Sequence, residues 1–336
     1  MDTGAFKYII LPLIGLDQGN KIWIEGNTFR IKKRLFNVYR EEKYWRNIIR
    51  IIQSYIPSSI NRKKIQIEFN EQTKNITTNK NGHFHFEFQN NKEYRLNPGS
   101  IKFFRMKGGK KIRIGIPESF DQCFFSYQKS KIGIISDIDD TILVTHTRNS
   151  LKKVKTLLTK NAYKRNAVKE MREFYISLSN NKYPFFYVSN SEANLYPMIR
   201  LFLNHNHFPT GPIFLKPFIK WNSLFKRKTT KGRDGHKKEK IRFLLKTFPE
   251  MSFILIGDDS QKDPEIYGDI AREAPDRIKH IYIRNINKTA LARRLQHAEK
   301  IETHFNVKFT YFKSPANVLL NQKNVLNSYM QLNDLR

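Results

Sequence analysis

One cysteine, Cys123, stands in a chain of 336 residues, so no disulfide can form within it. That excludes a disulfide-stapled secreted scaffold and fits a reducing compartment, the cytoplasm. Acidic residues are scarce beside basic ones, 30 Asp and Glu against 61 Lys and Arg, leaving a formal net charge of +31. Such an excess favours approach to phosphates on lipid headgroups, nucleic acid or anionic metabolites. Lys, Asn and Ile are abundant throughout, which also reads as codon bias, so charge alone selects no substrate. Long hydrophobic runs are missing too. Tyr8 to Leu16 has the length of a signal h-region, but Pro12 interrupts it and Lys7 is the only basic residue before it. No small-residue cleavage site follows, and the run reads as a buried strand or turn. No stretch approaches the length of a membrane-spanning helix. Hydrophobic content of 39%, with 13% aromatic and 27% charged residues, is that of a folded soluble protein, and the length suggests two domains.

The first ~125 residues read as β-rich. Lys21 to Phe29 is strand-like, and Ile65, Ile67 and Phe69 alternate with polar residues. So do Phe84, Phe86 and Phe88 after the Asn81-Gly82 turn, and Ile112, Ile114 and Ile116 before Pro117. Tyr39 to Tyr55 carries Trp45, Ile48, Ile49 and Ile52 at helical spacing. The pattern predicts a small β-sandwich with an inserted helix. From about Lys129, apolar strands alternate with amphipathic helices. Strands are expected at 132–137, 184–189, 213–215, 252–257 and 280–283, and helices at 165–179, 194–205, 236–248, 264–273 and 289–303. This alternation predicts a mainly parallel sheet with helices on both faces. Segment 215–238 reads as a basic loop with Gly232 and Gly235, and the last ~30 residues are weakly patterned.

The chemistry-bearing residues sit at strand ends. Ile132 to Ile142 runs from an apolar strand into Asp137, Asp139 and Asp140. Crowded carboxylates are costly unless a cation or a reaction needs them. Two carboxylates with water suit Mg²⁺, a hard cation that prefers oxygen ligands. One such carboxylate can attack phosphorus while another carries a proton. A capping and turn cluster is the alternative, since Asp and Thr suit loop starts. A second apolar strand, Phe253 to Gly257, runs into Asp258, Asp259 and then Asp263. Two acidic clusters at one sheet edge would jointly form a Mg²⁺ site. A third strand, Pro184 to Val188, ends at Ser189, Asn190 and Ser191, which can hold phosphoryl oxygens, cap the helix near Asn194, or both. Lys237 opens an apolar-faced helix with Ile241, Leu244, Leu245 and Phe248, and can reach a phosphate or lie on solvated surface.

Together these segments resemble the haloacid dehalogenase-like (HAD) phosphatase superfamily: Asp137-Ile-Asp139-Asp-Thr141, then Ser189, Lys237 and Gly257-Asp258 with Asp263. More narrowly, residues 130–290 are similar to the App1-like phosphatidate phosphatase catalytic domain (DUF2183). The residues that carry this are 135–142, Tyr187 to Ser191 with Leu195-Tyr196-Pro197, Phe208 to Pro212, His236-Lys237, and Ile256 to Tyr267. Asp259 stands where Ser is expected from that family, and Asn190 and Glu192 stand near where the family tends to have small residues and Pro. The resemblance implies an α/β fold, a HAD-like Rossmannoid parallel sheet with helices on both faces and a minimal cap. A small β-rich, sandwich-like N-terminal domain precedes it. The implied domains are 1–128, 129–290 for catalysis, and a C-terminal helical extension over 291–336.

The resemblance further implies a Mg²⁺-dependent hydrolysis of phosphatidic acid to diacylglycerol and phosphate through an aspartyl-phosphate. Asp137 would be the nucleophile and Asp139 the general acid, then base. Mg²⁺ would be held by Asp137, Asp258 and the backbone carbonyl of Asp139, with Asp263 supporting. Ser189, Asn190 and Lys237 would bind the phosphoryl group, with Lys240 the runner-up for Lys237, and Thr141 would position the loop. Fewer than ~50 residues separate Thr141 from Ser189 with no clear extra sheet, so a large cap is not expected. An open site suits a bulky or membrane-embedded substrate, and the positive charge would favour peripheral contact with an anionic membrane. Two other readings remain. One is a phosphatase of the same fold acting on nucleic-acid ends or phosphoproteins, although no nucleic-acid module is visible. The other is a non-catalytic anionic-lipid-binding protein.

Overall fold

The computed structural model describes residues 6–32, 62–69, 71–90, 101–115, 124–126, 130–138, 141–142, 162–180, 183–216, 231–286, 291–315 and 318. The helix expected over Tyr39 to Tyr55, the strand residue Ile116, and Asp139 and Asp140 lie outside them. The chain divides into two compact units. One comprises 1–129, 190–201 and 211–230, and the other 130–189, 202–210 and 231–336.

Among the described residues, the 1–129 part of the first unit holds eight strands: β1 (Phe6–Asp17), β2 (Lys21–Lys32), β3 (Lys64–Phe69), β4 (Gln72–Thr77), β5 (His83–Gln89), β6 (Ile101–Lys107), β7 (Lys110–Ile114) and β8 (Phe124–Ser126). They form two sheets, in the orders β5-β2-β1-β8 and β4-β3-β6-β7. Tyr8 to Leu16 is thus strand, as its apolar run suggests. Its pairing with β2 shifts register between Ile10 and Leu13, where Pro12 lacks an N–H for the ladder. Period-two alternation puts Ile65, Ile67 and Phe69 on one side of β3 and Phe84, Phe86 and Phe88 on one side of β5, all buried. These faces meet, with ring centroids 5.3 Å apart for Phe69 and Phe88 and 6.0 Å for Phe84 and Phe103. Gly26 permits the close packing, because a Cβ there would lie 2.7 Å from the Phe84 ring.

A six-stranded sheet carries the order β11-β10-β9-β12-β13-β14. Its members are β9 (Ile132–Ser136), β10 (Phe185–Glu192), β11 (Ile213–Lys216), β12 (Ser252–Asp258), β13 (Ile278–Arg284) and β14 (Lys308–Phe312). The pairs β10–β9, β9–β12, β12–β13 and β13–β14 are parallel. The helices are α1 (Ala162–Asn180), α2 (Tyr196–His205), α3 (Lys231–Thr247), α4 (Asp263–Glu273) and α5 (Leu291–Phe305). Residues 134–136 and 253–258 are buried without alternation, the pattern of strands covered on both faces. Gly257 faces α4, since a Cβ there would meet Asp263 and Tyr267, and it pairs with Ile283. Tyr282, one residue out of phase with Ile283, packs instead against Phe174 of α1, centroid to centroid 5.6 Å. Thus α1 and α4 lie on opposite faces. Strand order reverses between β9 and β12, the switch point at which open α/β sheets keep a ligand crevice beyond the strand carboxyl ends.

Three expectations need correction. Within 291–336, read as a helical extension, α5 is followed by β14, which joins the sheet, and Phe312 packs 5.8 Å from Phe174. The basic loop over 215–238 ends earlier than its composition suggests, for α3 begins at Lys231 and includes Gly232 and Gly235. β10 does not stop at Ser189 but continues through Glu192, followed by a 3-10 turn over Ala193–Leu195.

Candidate active site

The carboxyl ends of β9 and β12 are locked together before the acidic residues begin. Ser136 pairs with Ile256, and the Asp137 N–H donates to the Ile256 carbonyl at 2.8 Å. Register therefore fixes Asp137 and Asp258 as neighbours at the switch point. Asp263 opens α4, and Gly257 makes room for it: a Cβ at 257 would lie 2.5 Å from Asp263 Oδ2. Asp137, Asp258 and Asp263 are all buried, and each offers a carboxylate oxygen within 4.8 Å of the others.

Lys237, in α3, enters this cluster from 100 residues away. Its Nζ donates to Asp137 Oδ1 at 2.9 Å and to Asp263 Oδ1. Burial opposes the Lys237 charge, but Asp137 and Asp263 outweigh burial and hold the ammonium above its ordinary range. Lys240 sits instead with its ammonium 5.5 Å over the Phe243 ring of its own helix. Thr141 Oγ1 donates to Asp258 Oδ2 at 2.8 Å and lies 3.3 Å from Asp137 Oδ2. The Ser260 N–H donates to Asp258 Oδ1 at 2.7 Å. Burial, then the Asp263 charge, pushes the Asp258 carboxyl up from 3.8 to about 7, even against those hydrogen bonds and Lys237. One ammonium against three carboxylates leaves two negative charges unbalanced when all ionise. The residues fit a divalent cation: three hard oxygen donors, two excess charges, and one carboxylate that resists ionising without a counter-charge.

Several supporting groups escaped the sequence analysis. Ser136 Oγ donates to the Asp137 carbonyl and pairs with the Tyr175 hydroxyl, both at 2.6 Å. Burial raises the Tyr175 hydroxyl far above its ordinary range, so it stays protonated. Arg284 Nη1 donates to the Thr141 carbonyl at 3.0 Å, fixing the turn after β9 from the end of β13. Tyr267 of α4 donates to the Ile256 carbonyl at 3.1 Å. Tyr175 and Tyr267 arrive from helices packed on the sheet and Arg284 from a strand end, so no local sequence spacing announces their partnerships. Asp259, where Ser was expected, has its own work: it accepts the Ile286 N–H at 2.8 Å and pairs with Arg294 of α5.

Ser189 is buried in β10, two residues beyond Tyr187, which pairs with Ser136. Its chain position is mid-strand rather than a helix cap, and Glu192 at the start of the following turn makes no side-chain cap. Asn190 falls in the first unit, its Oδ1 buried without a hydrogen-bond partner among the described residues. Ser189, Asp137, Lys237, Asp258 and Asp263 all belong to the second unit.

Residues 132–285 match the family model for the phosphatidate phosphatase APP1 catalytic domain. Phosphatidate phosphatase APP1 of Saccharomyces cerevisiae is 35% identical over 157 residues, covering 46% of this chain and 26% of that protein. An uncharacterised Schizosaccharomyces pombe protein is 25% identical over 159 residues, covering 47% and 26%. The chain thus spans about a quarter of the length of these curated relatives. A carbohydrate acetylesterase structure from Xanthomonas citri aligns over 90% of the chain and 68% of its own, with 11% identity. Its TM-score of 0.31 is too low to bear on fold or activity. Segment 132–285, which holds the aspartate cluster and Lys237, is thus the part of the chain that is similar to the phosphatidate phosphatase APP1 catalytic domain.

Proposed function

We propose that the protein is a Mg²⁺-dependent phosphatidate phosphatase that releases diacylglycerol and phosphate. The observation that carries the reading is the buried Asp137–Asp258–Asp263 cluster with Lys237, set at the sheet's switch point inside the segment that matches the family. The parallel pairing of β10, β9, β12, β13 and β14, with the acidic cluster beyond the carboxyl ends of β9 and β12, supports reading the sheet as HAD-like and Rossmannoid.

In this reading Asp137 attacks the phosphorus of phosphatidate and forms an aspartyl-phosphate. The bond from phosphorus to the glycerol oxygen breaks, and Asp139 gives that oxygen a proton. Asp139 then takes a proton from water, whose oxygen attacks phosphorus and frees Asp137 and inorganic phosphate. Asp137 and Asp258 with the Asp139 carbonyl, supported by Asp263, would hold Mg²⁺, which would supply positive charge to offset that on the phosphoryl oxygens. Lys237 holds Asp137 Oδ1 and keeps the carboxylate ionised and oriented. Thr141 is tied to Asp258 and, through its carbonyl, to Arg284, and would so help to position the loop after β9. Ser189 and Asn190 bind phosphoryl oxygens.

A substrate panel tests the assignment. Phosphate release is measured from phosphatidate vesicles, phosphorylated oligonucleotides and a phosphopeptide, with Mg²⁺ or EDTA. The reading expects phosphatidate to be preferred and EDTA to stop release. Preference for an oligonucleotide or peptide, or full activity in EDTA, contradicts it.

A further inference from the structure

Sheet β4-β3-β6-β7 buries Ile65, Ile67, Ile101, Phe103 and Ile114 on one face, and its other face looks outward. Register lays the outward residues in rows. Arg105 pairs with Ile65 and Met106 with Lys111, so Lys64, Met106 and Lys111 line up across three strands. The next row is Gln66, Phe104 and Arg113. Met106 is 40% exposed, one of two large hydrophobic side chains exposed among the described residues. The β6–β7 turn projects beyond it: Gly108 and Gly109 have φ of +55° and +75°, and a Cβ on either would meet nothing within 4 Å. Lys107 and Lys110 flank that turn, both exposed. The one carboxylate among the outward residues of β3, β6 and β7 is Glu68, in the row of Lys102 and paired with Lys111 at 2.7 Å. Arg105 anchors the hairpin from behind, its guanidinium 4.1 Å over the Tyr8 ring.

We propose that the tip of the β6–β7 hairpin docks the protein on an anionic lipid bilayer, with Met106 and Lys111 on one of its sides and Lys107 and Lys110 on the other. The proposal rests on the phosphatidate reading, which requires the protein to work at a bilayer surface. Charge complementarity selects the occupant: Met106 at the tip stands among Lys107, Lys110 and Lys111, and Phe104 behind it among Lys102, Lys64 and Arg113, against the single carboxylate of Glu68. Lysine stems can lie along such apolar side chains while their ammonium groups reach lipid phosphates. A nucleic-acid face would offer open rings for base stacking. Here the single ring, Phe104, is half-buried and has the Lys111 ammonium 5.5 Å from its centre.

The test is co-sedimentation of the full chain with phosphatidylcholine vesicles containing phosphatidylserine, a lipid the proposed reaction does not consume. Lys107→Ala/Lys110→Ala is expected to weaken partition roughly 20-fold at about 0.1 M salt, near 5-fold per lysine. Phosphate release from a water-soluble short-chain phosphatidate is expected to be unchanged in this variant. Lys169→Ala/Lys300→Ala removes the same charge from the second unit and is expected to leave partition within about twofold. Unchanged partition in the hairpin variant overturns the proposal, as does equal loss in both variants, which would make net charge the cause. Tighter binding to single-stranded RNA than to vesicles, lost with the same two lysines, also overturns it. If the hairpin pattern appears while the wild type hydrolyses no short-chain phosphatidate, docking stands and only the activity reading falls.

Discussion

Lys237 lies against two carboxylates, Asp137 and Asp263, and all three side chains are about 1% exposed. Removing one partner of a buried ionic group strands the others, at a cost of about 3–5 kcal/mol. Lys237→Met is therefore expected to destabilise the metal-free protein by that order in urea unfolding, with Mg²⁺ recovering part of the loss. Asp258 gives the pH dependence. Its native carboxyl is raised to about 7 from 3.8. The native state then binds more protons than the unfolded chain between these values, so its contribution to stability is lost as pH rises through them. In EDTA, wild type is expected to lose stability relative to Asp258→Asn between about pH 4 and 7, and saturating Mg²⁺ to remove the difference. A flat difference in EDTA contradicts this. The aspartates were legible because strand ends and spacing announce them. The partnerships of Lys237 with Asp263 and Arg284 with Thr141 were not, since they join positions 26 and 143 residues apart.

Strands β9 and β12 were readable as apolar runs ending in acids, and α4 as an amphipathic helix after Asp263-Pro264. β14 was not, because Lys308 to Phe312 is short and only Phe309 and Phe312 are buried. As an element of the sheet it makes a clear prediction. Phe312→Ala removes packing against Phe174 and Tyr282 and is expected to cost about 3–5 kcal/mol. A merely appended tail would cost little. The start of α3 was hidden by Gly232 and Gly235, which read as loop. At 235 a Cβ would meet nothing within 4 Å, so packing does not require glycine there. Gly257 is the opposite case, with Asp263 and Tyr267 both under 3 Å from a built Cβ. Gly257→Ala is expected to cost about 1–3 kcal/mol by overpacking and, by moving Asp263, to raise the Mg²⁺ concentration needed for phosphate release. Gly235→Ala should do neither.

At the scale of the whole chain, alternating strands and helices announced the parallel sheet, and alternating apolar residues announced the β-rich unit before it. Strand order was beyond the sequence, because pairing depends on crossovers rather than on local pattern. That order brings Asp137 of one strand end to Asp258 of another and admits Asp263 and Lys237 from the helices. Among the described residues no helix is long and apolar enough to cross a membrane. The central claim is that this assembly makes Asp137 a nucleophile toward phosphorus. Rapid acid quench of enzyme turning over phosphatidate with Mg²⁺, followed by peptide mass spectrometry, tests it most directly. The account predicts a phosphoryl group on the peptide bearing Asp137, none in EDTA, and a roughly thousandfold or greater loss of turnover in Asp137→Asn. Turnover with no phosphorylated Asp137, together with an active Asp137→Asn variant, would contradict it.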